Sequence, residues 1–534
     1  MALASPTHGY ASHVAIIGFV KRMSSVSLEN SLTMQVRHES SDESASTRGR
    51  WAFWSAAVLA AMLHWIPHFP PQIDLAQHAA QMRMLHDWNQ ADFPDRAILQ
   101  LNFFTPYLPA YLLGTALAFI VPTVTATKII WSLGAIGTVY ASVRLRIRLG
   151  GDPVWDWLLL PGLFGITFIW GLLTFQLAVP LGLFSLEYWI VYLRAPTIRR
   201  GAAFGFTLCG LFFCHSLVTA WLMAVCGLML LTEKAFWSGR RSRSFVVGLP
   251  LLAPLPVVAL WLALVRHVPQ VQSKTDWGPI GARTIGFCEQ WIGAIGMSTL
   301  AVSAVGGALL LAPFLAGARL HRDIVYRAPL VMTLAVIMLV PDFVFGNAFT
   351  SSRFMVLLGP SLVIALSRRA TLSSREKHAR VLMPGIALGC ILLASARMVA
   401  FGREQREFLG VANVMLPNRH TLAVIEDAAS VAMQHPQTYL HFGSWYQVVK
   451  GGLVEFSFAA FLPTIVHFRA SYAGIVPEIF ALRPTTDFVR RHAHEFDYIL
   501  VRTRSADSPP LQHVPAKMLA HEGQWWLFEP VPER

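Results

Sequence analysis

The sequence predicts a membrane-embedded, all-helical polytopic bundle of about eleven transmembrane helices, followed by a small α/β domain on the extracytoplasmic face. Three observations predict it. Of 534 residues, 54% are hydrophobic and only 14% are charged, which is not the balance of a soluble chain. Apolar runs of bilayer length recur between short polar loops, and after Val399 the composition becomes that of a soluble domain. The net charge of +13 does not indicate nucleic acid, because the basic residues recur in small clusters between apolar runs instead of gathering on one patch. The five cysteines form neither a disulfide framework nor a metal spacing.

Residues 1–50 are polar and Ser/Thr-rich and read as a disordered cytoplasmic tail. A first span over about Trp51–Trp65 follows Arg48 and Arg50, which hold the N-terminus inside and put the loop 66–105 outside. Prolines 67, 70 and 71 end that span, and an amphipathic pattern from Leu75 to Trp88 starts a helix at Asp74. The stretch from Pro106 to Val121 reads as a short helix lying in the outer leaflet. Counting it as a crossing would put Arg144, Arg146 and Arg148 outside.

Further spans are expected near 129–143, 154–170, 177–192, 202–213, 217–231, 245–265, 295–315, 329–345, 354–366 and 381–399. Their cytoplasmic ends carry Arg194, Arg199 and Arg200; Lys234, Arg240, Arg241 and Arg243; Arg319, His321, Arg322 and Arg327; and Arg368, Arg369, Arg375, Lys377 and Arg380. The transmembrane domain is thus 51–400 and the extracytoplasmic α/β domain 401–534. In the latter, Thr421–Met433 and Thr486–His494 read as helices, and Thr438–Phe442, Tyr498–Arg502 and Trp525–Phe528 as strands.

With that topology, Asp74, His78, Tyr107, Gln176, His215, Asp342, Asn347 and Arg353 all fall on the outer side. Asp74 and His78 are one helical turn apart on one face. Ionisable groups at membrane depth are costly, so such a gathering marks a site candidate, and an arginine fork suits a phosphate. Each residue also has a plainer role: Asp74 as a helix cap, His215 as a packed interfacial histidine, Gln176 as a tie between helix ends, and Asp342 as the partner of a snorkelling Arg353.

The layout resembles the GT-C superfamily of integral membrane glycosyltransferases. The resemblance lies in the acid directly after the first span, Asp74; the segment Phe104-Thr105-Pro106-Tyr107-Leu108-Pro109-Ala110-Tyr111; the many spans; the late outer arginine, Arg353; and the C-terminal domain. It implies an inner-membrane hexosyl- or pentosyltransferase of the bacterial cell envelope, inverting, with a lipid-linked sugar as donor, membrane lipid around it, and a glycan, lipid or protein as acceptor. Asp74 would be the general base, an ordinary carboxylate ionised at neutral pH, with His78 assisting. Arg353, His215, Gln176, Asp342 and Tyr107 would bind the substrate or the donor phosphate. GT-C members often carry Asp-Glu or Asp-x-Asp where this chain has Asp74-Leu75-Ala76, so no metal and no cofactor is expected. The rival reading is a transporter or flippase with an outer polar pocket, against which stands the lack of matching halves.

Overall fold

Prolines and glycines mark several of the places where the helices of this chain break, although Pro180, Pro313, Pro329 and Pro384 lie inside continuous helices. The structure, a computed structural model, describes residues 42–91, 93–232, 246–265, 275–294, 296–344, 348–367, 374–460, 464–469, 486–506, 510–511 and 514–531. Residues 1–41 of the expected tail, the basic clusters at 234–243 and 368–377, and Asn347 lie outside the described backbone or side chains. Helix α1 (Asp42–Met62) begins inside the expected tail. It passes into a 3-10 turn, Leu63–Trp65, and the prolines then keep the chain irregular until α2 (Leu75–Asp87).

The next helix, α3 (Leu108–Ala118), has 11 residues. At about 1.5 Å per residue it is roughly 16 Å long, half of a bilayer's apolar thickness, as a short interfacial helix should be. Helix α4 (Thr123–Arg148) follows. The span expected at 154–170 takes a different form. It consists of 3-10 turns at Pro153–Leu159 and Pro161–Phe164 and a short helix, α5 (Ile166–Trp170). Pro153, Pro161 and Gly165 account for this, since proline removes a backbone donor and clashes with the preceding turn.

Regular helices resume with α6 (Leu173–Arg194), α7 (Ile198–Cys214), α8 (Ser216–Thr232), α9 (Pro254–Val265), α10 (Thr299–Leu315), α11 (Ile324–Leu339), α12 (Leu358–Ala365) and α13 (Ser374–Glu404). Among the described residues, four stretches are long and apolar enough to cross a membrane: Pro153–Trp170, Leu173–Arg194, Val246–Leu264 and His378–Val414. The other apolar helices are shorter. Arg144 and Arg148 of α4 both bind Glu187 of α6, and Arg146 grips Asp156 with two bonds of 2.9 and 2.6 Å. The arginines that mark a cytoplasmic loop in the sequence are thus held by buried acids.

Beyond α14 (Arg406–Val414) lies a five-stranded mixed sheet of order β3-β2-β5-β7-β6, built from β2 (His420–Ile425), β3 (Leu453–Val454), β5 (Tyr498–Arg502), β6 (Ala516–Glu522) and β7 (Trp525–Pro530). Strands β3 and β5 flank β2 in parallel, whereas β7 is antiparallel to both β5 and β6. The helix expected from Thr421 is therefore strand β2. Its continuous apolar run is buried on both sides, and such runs do not separate helix from strand by periodicity. The strand expected at Thr438–Phe442 is a series of turns, and β6 was not foreseen. The helix read over Thr486–His494 is α-helical to His492 and then 3-10, Tyr498–Arg502 forms as read, and the final strand, read as Trp525–Phe528, runs on to Pro530. The sheet's core gathers Leu422, Val424, Ile499, Val501, Trp526 and Phe528 beneath Val489 and Ala493.

This C-terminal part is locked onto the first loop. A two-stranded sheet joins β1 (Leu99–Leu101) to β4 (Val466–Phe468). Gln77 of α2 donates to Ser444 Oγ and to the Phe456 carbonyl, both at 2.7 Å, and its oxygen accepts from the Phe458 N–H. Gln81 accepts from the Val466 N–H. Phe69 stacks on buried Trp445 at 5.0 Å with Phe408 and Phe442 edge-on; pairs of this kind contribute about 0.5–1.5 kcal/mol each beyond the burial of their area.

Candidate active site

Asp74 stands at the foot of α2, where the backbone is fixed from two directions. Its N–H donates to the Trp170 carbonyl at 2.8 Å, and Ile73 N–H donates to the Ile169 carbonyl. Helix α5 can end here because Gly171 adopts φ +69°, and a side chain at that position would press on the Leu75 nitrogen and Gln72. Although Asp74 occupies the cap position of α2, its carboxylate makes no capping bond. It turns away from the helix, and its Oδ1 lies 3.5 Å from Nε2 of His441. His441 itself is sandwiched flat against Phe456, with ring centroids 4.4 Å apart.

The carboxylate keeps 15% of its side chain accessible. Burial nonetheless pushes its pKa up to about 7, and the nearby Arg353 guanidinium opposes that rise. This corrects the expectation of an ordinary carboxylate: loss of hydration disfavours the charge more than Arg353 restores it. The surrounding imidazoles shift the other way. Burial, aided for His78 by the same guanidinium, lowers both His78 and His441 to about 3, so both rings are neutral at physiological pH.

His78 Nδ1 is 2.8 Å from the Tyr111 hydroxyl, and the edge of Phe458 meets its ring. Arg353 enters from the 3-10 turn Ser352–Leu357 ahead of α12. Its Nε donates to the Phe349 carbonyl at 2.8 Å, another N–H to the Ala348 carbonyl, and a third reaches His215 Nε2 at 3.4 Å. The guanidinium also lies over the Phe175 ring. Tyr107 packs against His215 with centroids 5.1 Å apart.

Five of the residues singled out in the sequence therefore share one locality: Asp74, His78, Tyr107, His215 and Arg353. The turns that carry them come from four distant parts of the chain and meet at one end of the bundle. Of the other three, Asn347 lies outside the described residues, and two are engaged differently. Asp342 Oδ1 accepts from the N–H groups of Ser351 and Ser352 and from the Ser351 hydroxyl at 2.8 Å, shaping the turn that presents Arg353. Gln176 faces α4 and donates to Thr138 at 3.4 Å. Sequence reasoning missed His441, Phe456 and Phe458, which come from the C-terminal part, and named Tyr111 without giving it a place in the site. Only Tyr111 carried a local signal, sitting one turn beyond Tyr107. Among the described residues, no three His, Cys, Asp or Glu side chains gather as a metal site would require.

No family model matches the chain, and no curated protein is similar to it in sequence. Its structure is similar to the crystal structure of ArnT from Cupriavidus metallidurans bound to undecaprenyl phosphate, over 90% of this chain and 97% of that one, with a TM-score of 0.54 at 10% identity. This chain shares the fold of that protein. The likeness takes in both the helical part and the C-terminal sheet region, since so little of either chain is left unmatched. At 10% identity the shared feature is the fold, and the chemistry has to be argued from the side chains described above.

Proposed function

We propose that this chain is a membrane glycosyltransferase that moves a sugar from a polyprenyl-phosphate donor to an acceptor hydroxyl on the outer face of the membrane. The observation that supports this best is that the buried Asp74 carboxyl lies close enough to the Arg353 guanidinium to feel its charge, within a fold shared with a protein crystallised with undecaprenyl phosphate.

In this reading Asp74 takes the proton of the acceptor hydroxyl as that oxygen attacks the anomeric carbon. The bond from the anomeric carbon to the phosphate oxygen breaks, and its electron pair leaves on the lipid phosphate. A single displacement of this kind inverts the anomeric centre. A base works best when its pKa lies near the operating pH, and a carboxyl brought to about 7 is matched to that task. Charge grows on the leaving phosphate, where the Arg353 guanidinium stabilises it. His78 and His441, both neutral, act through hydrogen bonds and not as acids of ordinary pKa. Tyr107 and His215 hold Arg353 and the sugar between them.

The decisive measurement is sugar transfer from a polyprenyl-phosphate donor by Asp74→Asn. Transfer should be lost while expression and lipid binding persist. Undiminished transfer would remove Asp74 from the chemistry. Cysteine labelling of the 88–97 loop from the outer side tests the sidedness, and labelling only from the cytoplasm would overturn it.

A further inference from the structure

A polar cavity lies beside α2. Arg83 is nine positions after Asp74, and at about 100° per residue this places the two on opposite sides of the helix. The cavity has a volume of about 350 Å³ and is lined by Arg83, His86, His68 and Lys128, with Thr123 and Thr125 at the start of α4. Four basic side chains face one space. The carboxylate that meets two of them is Asp87, which accepts from Arg83 Nε and His86 Nδ1.

Lys128 is only 6% exposed. Its ammonium donates to the Pro67 carbonyl at 2.9 Å and lies 5.7 Å from the Trp65 ring, and among the described residues it has no other hydrogen bond and no carboxylate within reach. Its side chain lines the cavity, and its donor capacity is not exhausted by that one bond. A buried ammonium without a counter-charge is costly, and an anion in the cavity would relieve that cost. Backbone geometry adds to the attraction. The cap of the 26-residue α4 is Pro122, which supplies no side-chain acceptor, so the N–H groups of Thr123, Val124 and Thr125 lie open at the positive end of a long helix dipole.

The mouth of the cavity meets the apolar surface. His86 packs on Phe119 with ring centroids 4.6 Å apart, and Phe119 and Ile120 are 67% and 81% exposed at the end of α3. A ligand held here by its charge would keep its tail beside these side chains.

From this arrangement we propose that the cavity, which Asp74 does not line, is a phosphate-binding site that takes the phosphodiester of an anionic lipid headgroup. Arg83 and Lys128 supply the charge and the first turn of α4 supplies the backbone donors. The site does not depend on the glycosyl-transfer reading, and its test reads binding alone.

Full-length protein in detergent, as wild type, Lys128→Met, Arg83→Gln and the surface control Arg490→Gln, is titrated with dioctanoyl phosphatidylglycerol, dioctanoyl phosphatidylcholine and inorganic phosphate. Melting temperature and native mass spectrometry report binding. Phosphatidylglycerol should raise the melting temperature of the wild type and of Arg490→Gln, and each cavity substitution should weaken its binding about tenfold, the value of one lost charged hydrogen bond. Inorganic phosphate binding as tightly as phosphatidylglycerol would assign the site to a soluble phosphate instead of a lipid. The proposal is overturned by equal binding of phosphatidylcholine, or by unchanged phosphatidylglycerol binding in both cavity variants. Melting of the unliganded variants separates loss of the ligand from loss of the fold: a variant that melts as the wild type does has lost only the site, and either substitution alone suffices to decide.

Discussion

Asp74 Oδ1 and His441 Nε2 lie 3.5 Å apart although they come from opposite ends of the chain. The carboxylate belongs to the first loop and the imidazole to the C-terminal part, so the proposed base is held by both. Burial keeps His441 neutral, and in the tautomer protonated at Nε2 its N–H faces the Asp74 carboxylate at 3.5 Å, an approach that favours the ionised form.

Replacing His441 with alanine should lower kcat roughly 100-fold, the usual effect of misplacing a reacting group by about an ångström. It should also move the acid limb of the kcat/KM profile to higher pH, because an ionised carboxylate loses a donor. His441→Gln, which can still donate, should recover part of the rate. A profile that keeps its acid limb in His441→Ala would exclude this positioning role.

Arg353 should control the same limb by charge. The Asp74 carboxyl titrates near 7 with Arg353 lowering it, so activity rises as pH increases through about 7. Arg353→Gln removes the opposing charge, and the Asp74 pKa then climbs further. Activity at pH 7 should fall roughly 100-fold or more, and raising the pH should restore only the part lost through Asp74. Arg353→Lys should leave the limb nearly in place yet lower kcat, since lysine lacks the planar fork. Both are read from pH–rate profiles.

Gly171 should be sensitive out of proportion to its size. Its φ of +69° and the closeness of Leu75 N leave no room for a side chain. Gly171→Ala should cost about 1–3 kcal/mol of stability and, by shifting the foot of α2, reduce transfer more than it reduces lipid binding. Thermal melting together with the two assays checks this.

At the other end of α4, the Arg146–Asp156 pair is buried and bidentate. Arg146→Met should destabilise by about 3–5 kcal/mol by stranding the carboxylate, and Arg146→Met with Asp156→Leu should recover most of that loss. A double variant as unstable as the single one would mean that the pair does more than neutralise itself. Melting in detergent measures both.

Much of the fold could be read from local signals. Apolar run length and basic clusters gave a polytopic helical chain, and the prolines after Trp65 marked the start of α2 within a residue. Asp74, His215 and Arg353, singled out in the sequence, come into one neighbourhood in the structure. Local signals failed where two elements share one pattern. The apolar run of β2 suited a helix as well as a strand, and Pro153–Trp170 had the composition of a span but the backbone of a broken one.

By itself, then, the sequence determined which segments are apolar and helical and which carboxylate follows the first apolar helix, because hydropathy and charge act within a few residues of one another. Only the tertiary structure decided that His441 faces Asp74, that β4 completes a sheet with the first loop, and that burial raises the Asp74 carboxyl to about 7. Those outcomes depend on desolvation and on pairing between segments hundreds of residues apart, and neither is written in any single stretch of the chain.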